Sequence, residues 1–155
     1  MHVSAKADYG MRALMELAAA YEANPHQLVK GETIATAQEI PLKFLEGILR
    51  QLRQAGIVTS QRGAEGGYRL DLDPSEVSIA DVVRALDGPL AAVRGQRPED
   101  LDYQGASEHL REVWIALRVS MRQVLEHITL ADVATGHLPD QVTGLLTEPG
   151  AWKRR

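Results

Sequence analysis

The stretch Ile40-Pro41-Leu42-Lys43-Phe44-Leu45-Glu46-Gly47-Ile48-Leu49-Arg50-Gln51-Leu52-Arg53-Gln54-Ala55-Gly56, continued by Ile57-Val58-Thr59-Ser60-Gln61-Arg62-Gly63-Ala64-Glu65-Gly66-Gly67-Tyr68-Arg69-Leu70, decides the fold. Leu45, Ile48, Leu49 and Leu52 follow the i, i+3, i+4, i+7 spacing of one buried helical stripe. Lys43, Glu46, Gly47, Arg50 and Arg53 fall largely off it, so one face packs and the other is free to touch a partner. Pro41 suits a first helical turn, where a missing N–H is harmless, and Gly56 supplies a left-handed stop. Ile57–Ser60 and Tyr68–Leu70 then read as two short strands around a glycine-rich turn. From Pro41 to Arg69 five cations stand against two carboxylates, although the whole chain carries a formal net charge of −4. A local positive face on an acidic protein is therefore expected.

Upstream, Ser4 reads as an N-cap for an amphipathic helix through Met11, Leu14, Leu17, Ala18 and Tyr21 that ends before Asn24-Pro25. A loop from Pro25 to Lys30 leads into a short Ala-rich helix, Glu32–Ala37, and a break at Gln38-Glu39-Ile40 separates it from the helix at Pro41. Two helices joined so tightly are either an ordinary αα-hairpin or a helix-turn-helix. The hairpin that follows at once favours the second, as a winged helix-turn-helix.

Downstream, Asp73-Pro74-Ser75 closes this unit, and Ser75 or Ser78 caps a helix through Ile79, Val82, Val83 and Leu86 that ends at Asp87-Gly88-Pro89. A charged loop from Leu90 to Gly105 precedes the longest helix, Ala106–His127. There Leu110, Trp114, Leu117, Met121, Val124 and Ile128 alternate in steps of four and three, the seam of a coiled coil. Ile115 and Val119 add apolar residues on the opposite side. Such a helix needs two partners: its own subunit and a second copy in a homodimer, or else the core of a monomer. A short helix from Thr129 ends at Gly136, and the tail to Lys153-Arg154-Arg155 is weakly patterned. The expected division is 1–75, the winged helix-turn-helix; 76–105, a connecting helix and loop; 106–136, the dimerisation helix and its short successor; and 137–155, a C-terminal tail. The fold class is mainly α with one small β-hairpin.

With 155 residues and no cysteine, the chain excludes disulfides, thiolate zinc sites and thiolate-bound iron–sulfur clusters. His2, His26, His109, His127 and His137 are scattered without an HxxxH or HxH pair. No Walker loop, GxSxG elbow or strand-borne GxGxxG is present. The glycines at 63–67 lack a following helix to make a phosphate cradle. No metal, cofactor or enzymatic activity is therefore expected. The start has no apolar segment and no run approaches the roughly 20 residues of a membrane span, so a cytoplasmic, non-membrane protein is expected.

Together, Ser4-x-Lys6-x-x-Tyr9, Ile34-Ala35, Ile40-Pro41-x-x-Phe44-Leu45-Glu46-x-Ile48-Leu49-x-x-Leu52-x-x-Ala55-Gly56, and Ser60-x-Arg62-Gly63-x-x-Gly66-Gly67-Tyr68-x-Leu70 resemble the Rrf2 family of bacterial transcriptional regulators. Ile79-x-Asp81-Val82, the Trp114 helix and Ile128-Thr129-Leu130 continue the likeness over all but the tail. The resemblance implies a dimer, joined at the long helix, that binds a palindromic double-stranded DNA operator. It places base reading on Pro41, Lys43, Glu46 and Gly47, and a minor-groove contact on Arg62 with Gly63 beside it. Ser4, Lys6 and Tyr9 fall at phosphate-contacting places, and Phe44, Arg50 and Tyr68 complete the candidate interface. Lys43 suits guanine edges or phosphate, Glu46 suits cytosine N4, and an Arg in a turn suits a narrow minor groove. Two assignments stay open on the residues: Glu46 either reads a base or pairs with Arg50 at i+4, and Tyr9 either meets phosphate or packs in the core.

Many members of the family hold an iron–sulfur cluster on three loop cysteines. The corresponding places here fall near Gln96, Asp102 and Glu108, with a further ligand position on Arg111, and none is a soft-iron ligand. In their stead the loop carries Arg94, Arg97, Asp100, Asp102, Tyr103 and His109. These either bind a small metabolite or protein effector of unknown identity or are simply solvated. The expected function is a homodimeric DNA-binding regulator, a repressor without a cluster; the alternative is a winged-helix module that binds protein in place of DNA.

Overall fold

The computed structural model describes residues 3–154; Met1, His2 and Arg155, which belong to the first and last of the expected segments, lie outside them. The chain runs α1 (Ala5–Ala23), α2 (Gly31–Gln38), α3 (Leu42–Gln54), β1 (Val58–Gln61), β2 (Gly67–Leu70), α4 (Ile79–Asp87), α5 (Leu110–Leu125), α6 (Leu130–Thr135) and α7 (Asp140–Leu146). Single 3₁₀ turns lie at Pro74–Glu76, Pro98–Asp100 and Gly105–Ser107.

α1, α4 and α6 start where a side chain satisfies free N–H groups of the first turn. The Ser4 hydroxyl accepts from the Ala7 N–H at 3.0 Å, and Ser78 and Thr129 open α4 and α6 as full capping boxes with Asp81 and Asp132. Such caps are each worth about 1 kcal/mol. Of the two serines considered for α4, Ser78 is the cap, while Ser75 lies in the 3₁₀ turn capped by Asp73.

One core joins α1 to α4, the hairpin and α6. Leu14 and Leu17 of α1, Ile34 of α2, Leu45, Ile48, Leu49 and Leu52 of α3, Val58 and Leu70 of the strands, Val82 and Leu86 of α4 and Leu130 of α6 are all buried in it. Each such side chain contributes about 1.5–3 kcal/mol, so the α3 stripe alone fixes which face of that helix points outward. Leu130 arrives through backbone pairing: its N–H donates to the Val77 carbonyl at 2.9 Å, and the Ile79 N–H to the Ile128 carbonyl at 2.8 Å.

Several sequence expectations move. Pro41 is the N-cap of α3, one residue outside the helix, and its carbonyl accepts from Phe44 and Leu45. The first strand shifts by one residue and the second starts one residue earlier, at Gly67, pairing Val58 with Leu70 through to Gln61 with Gly67. The segment read as a plain loop before α2 contributes an unforeseen bridge, in which Val29 and Tyr68 exchange two backbone hydrogen bonds at 2.8 Å each. The long helix begins at Leu110 and not at Ala106, because Gly105, with φ of 60°, leads into a 3₁₀ turn. Ile128, placed in the seam by its spacing, lies beyond the end of α5 and is only 8% exposed within its own chain, held there by the pairing to Ile79.

The segment from Leu90 to Gly105 is not simply solvated. Leu90, Pro98 and Leu101 are buried, the Trp114 Nε1–H donates to the Tyr103 hydroxyl at 3.1 Å, and Arg118 pairs with Glu99. The Arg94 guanidinium stacks 6.0 Å from the centre of the Tyr103 ring. Glu99's carboxyl is held below its ordinary range, first by its own backbone N–H and then by Arg118, so this tie is complete at neutral pH and loosens as pH falls through the lowered value. Beyond α6, α7 buries Val142, while Trp152 is 81% exposed with its Nε1–H donating to the Leu146 carbonyl at 2.9 Å. Among the described residues, no helix is long and apolar enough to cross a membrane.

Candidate nucleic-acid interface

The turn between α2 and α3 sets the angle at which α3 is displayed. Glu39 takes a left-handed conformation with φ of 52°, at a cost of about 1 kcal/mol for a residue with a side chain. The cost is offset because the Ile40 N–H reaches back to the Ala35 carbonyl at 2.9 Å and the Ile40 side chain is buried. From α1, Arg12 donates to the Gln38 carbonyl and, at 3.2 Å, to its Oε1; Gln38 in turn donates to Glu16. Nothing in the sequence singled out this Arg12–Gln38–Glu16 chain, because its members are 22 and 26 residues apart.

With the stripe buried, α3 presents Lys43, Phe44, Glu46, Gly47 and Arg50 outward. Lys43, Gly47 and Arg50 share a shallow groove of about 370 Å³ with Phe44 and with Lys6 of α1. Glu46 faces the other way, into a cleft of about 440 Å³ beside Arg62, Gly63 and Tyr68 of the wing. Among the described residues no ion pair joins Glu46 to Arg50. Two cations outside the expected set, Lys30 and Arg53, line the same cleft, with Glu32 beside them. Arg53 Nη1 donates to Ser60 Oγ at 3.0 Å and so braces the recognition helix against β1, a contact that only the hairpin's docking creates.

Gly47 and Gly66 differ in what the missing Cβ does. At Gly66 an added Cβ would run into the Gln61 carbonyl oxygen and stand 2.8 Å from the Arg62 carbonyl carbon, and at Gly67 it would stand 2.6 Å from the Val29 carbonyl oxygen. Both are needed for the chain's own tight turn and bridge. At Gly47 a Cβ would meet nothing within 4 Å, so internal packing gives no reason for the glycine.

Other expected site residues are already occupied. The Tyr9 ring is half-buried, meets Phe44 edge-on at 5.7 Å and 83°, and carries the Arg12 guanidinium 5.4 Å from its centre. The Tyr68 ring packs against Gly31 at the start of α2. Ser4 and Lys6 both face Asp87, at 2.7 and 3.9 Å. Arg62 and Gly63, the latter with φ of 109°, sit exposed at the tip of the wing.

The family model that matches residues 3–136 is Rrf2, an iron-dependent transcriptional regulator. The chain belongs to the Rrf2 family. A Mycobacterium tuberculosis protein named as an HTH-type transcriptional regulator is 51% identical over 145 residues, covering 94% of this chain and 88% of that one. The HTH-type regulator CymR of Bacillus subtilis is 34% identical over 135 residues, covering 87% and 91%. The solved structure of CymR, the global cysteine regulator of B. subtilis, superposes with a TM-score of 0.71 over 88% of this chain and 98% of that one. That of T. potens IscR gives 0.69 over 88% of each, both at 32% identity. These relatives are transcriptional regulators and not enzymes, and the winged helix-turn-helix is the fold of this Rrf2 chain.

The iron in the family's description does not fit the residues here. The chain has no cysteine, and among the described residues no three His, Asp or Glu side chains gather as a metal site. Asp102, Glu108 and Arg111 are exposed, and the backbone of Gln96 is engaged with that of Val93. His109, exposed before α5, stands 3.7 Å from Glu112.

Proposed function

We propose that this Rrf2 regulator binds a palindromic duplex operator as a homodimer and represses transcription there, with α3 in the major groove and the wing in the minor groove. One observation carries the reading: the outward face of α3 pairs cationic side chains with a glycine that the protein's own packing does not require. A missing Cβ at Gly47, between Lys43 and Arg50, allows close approach to a groove floor. Lys43 and Arg50 supply guanine or phosphate contacts, Glu46 accepts from cytosine N4, and Arg62 enters the minor groove from the wing tip. Tyr9, Phe44 and Tyr68 act mainly by holding the reading elements in place.

The dimer reading is supported by α5, none of whose residues is buried, and by Val113, which is 53% exposed. Trp114, Leu117 and Met121 face an open, mostly apolar groove of about 460 Å³ shared with Val83 and Leu90, a place for the matching helix of a second copy. No cluster takes part, and the 90–105 segment is where a signal of another kind would enter.

Selection of bound sequences from a random duplex pool tests this function. The intact protein enriches a two-fold symmetric motif, and Arg62→Ala weakens binding by about 1–3 kcal/mol while relaxing preference at the flanks. A pool that shows no enrichment with folded, dimeric protein overturns the reading in favour of a protein-binding module.

A further inference from the structure

Asp87 closes α4, at the junction of the α5 groove and the DNA-facing surface. Its Oδ1 accepts the Ser4 hydroxyl at 2.7 Å and lies 3.9 Å from Lys6 Nζ. The same Ser4 oxygen accepts the Ala7 N–H, so the cap of α1 is a relay held from the far end of α4. Lys6 lines the groove of Lys43, Gly47 and Arg50, where the DNA backbone is proposed to pass. The carboxylate therefore stands where a phosphate oxygen would stand, on a hydroxyl donor and an ammonium group.

Its position is not explained by its own helix. The last turn of a helix favours cations, and an acid there is disfavoured by a few tenths of a kcal/mol to about 1 kcal/mol. Nor is the chain after it relaxed. Ala91 has a positive φ of 57° beside buried Leu90, whereas the positive φ of Arg94 belongs to the two-residue turn closed by the pairing of Val93 with Gln96. A non-glycine backbone of this kind persists only where surrounding contacts hold it, and Asp87 lies four residues before it. The two sides of Asp87 are thus a strained segment bordering the α5 groove and the two cationic and capping groups at the start of α1.

We propose that Asp87 is a positioning residue that occupies the phosphate-binding place of Ser4 and Lys6 when DNA is absent, and that it links the 88–95 segment to operator affinity. When Asp87 holds Lys6, the ammonium charge is cancelled locally and the operator loses one backbone contact. When the segment draws Asp87 away, Lys6 and the Ser4 hydroxyl are free for phosphate. This inference rests on the DNA-binding reading above and adds to it a route from the second half of the chain into the interface.

The test is a salt titration of binding to the selected duplex with wild type, Asp87→Asn, Lys6→Ala and the double variant. Asp87→Asn keeps an acceptor for Ser4 and removes the charge. It is expected to bind about tenfold more tightly near 0.1 M salt, with a salt slope steeper by about one ion. In the Lys6→Ala background the same change is expected to have no effect on affinity or slope, which is the signature of a coupled pair. Lys6 is partly exposed, and thermal melting of each variant records any structural loss separately. A merely structural Asp87 would change the melting temperature and leave the slope alone. Wild-type slope and affinity in Asp87→Asn, or a gain that survives in Lys6→Ala, overturns this inference while leaving DNA binding standing. Failure of wild type to bind any duplex overturns both.

Discussion

Gly47 and Gly67 are both glycines of the reading head, yet they answer to different demands. In Gly67 the demand is internal, because the Val29 carbonyl oxygen already fills the space a Cβ would need. In Gly47 the space is open, and the helix carries the residue at a cost of about 1 kcal/mol relative to alanine. Gly47→Ala is therefore expected to raise stability by up to about 1 kcal/mol in denaturant unfolding and at the same time to weaken operator binding. Unchanged DNA affinity would mean that nothing approaches this face closely. The sequence marked Gly47, Lys43 and Glu46 by their departure from the apolar stripe, but it left Glu46 between base reading and a pair with Arg50. The fold removes the pair by turning Glu46 toward the wing.

At the scale of elements, the hairpin is held by more than its own register. Val29, the fifth residue of the Pro25 to Lys30 stretch that reads only as a loop, clamps Tyr68 with two hydrogen bonds, and Arg53 reaches Ser60 from the recognition helix. Gly67→Ala, which forces backbone against backbone, is expected to cost about 1–3 kcal/mol of stability and to disorder the wing, seen as loss of amide protection at Val29 and Tyr68. Protection retained at both would show that the bridge yields without cost. The helices as far as α6 and the strands were legible because periodicity and capping are local, with Ser4, Gly56 and Gly136 acting where the sequence put them, whereas α7 lies in the stretch read as a weakly patterned tail. The Val29 bridge, the Arg12–Gln38–Glu16 chain and the packing of the 90–105 segment were not, since each depends on residues brought together only by the tertiary fold. Ile128 shows the same limit in reverse, for its heptad spacing continued past the point where backbone pairing to Ile79 ends the helix.

At the scale of the molecule, an acidic chain presents a locally basic head and carries an uncovered apolar helix behind it. The core that runs from α1 through α4 to α6 makes the head and the return of the chain one packed unit, with α5 laid across the outside. Two such units related by a two-fold axis through α5 would place two recognition helices on one side, and operator half-sites about one helical turn apart or a multiple of it. Chemical footprinting of the selected duplex, done with wild type and with Leu117→Glu, reads this arrangement most directly. The predicted result is a two-fold symmetric pattern for wild type, with protected guanine N7 atoms in two major-groove half-sites and protected minor groove at the flanks. In Leu117→Glu, which puts a charge into the α5 groove, the symmetric pattern is expected to be lost together with twofold mass in light scattering. A wild-type footprint confined to one half-site, or a symmetric one that persists in a monomeric Leu117→Glu, would contradict it.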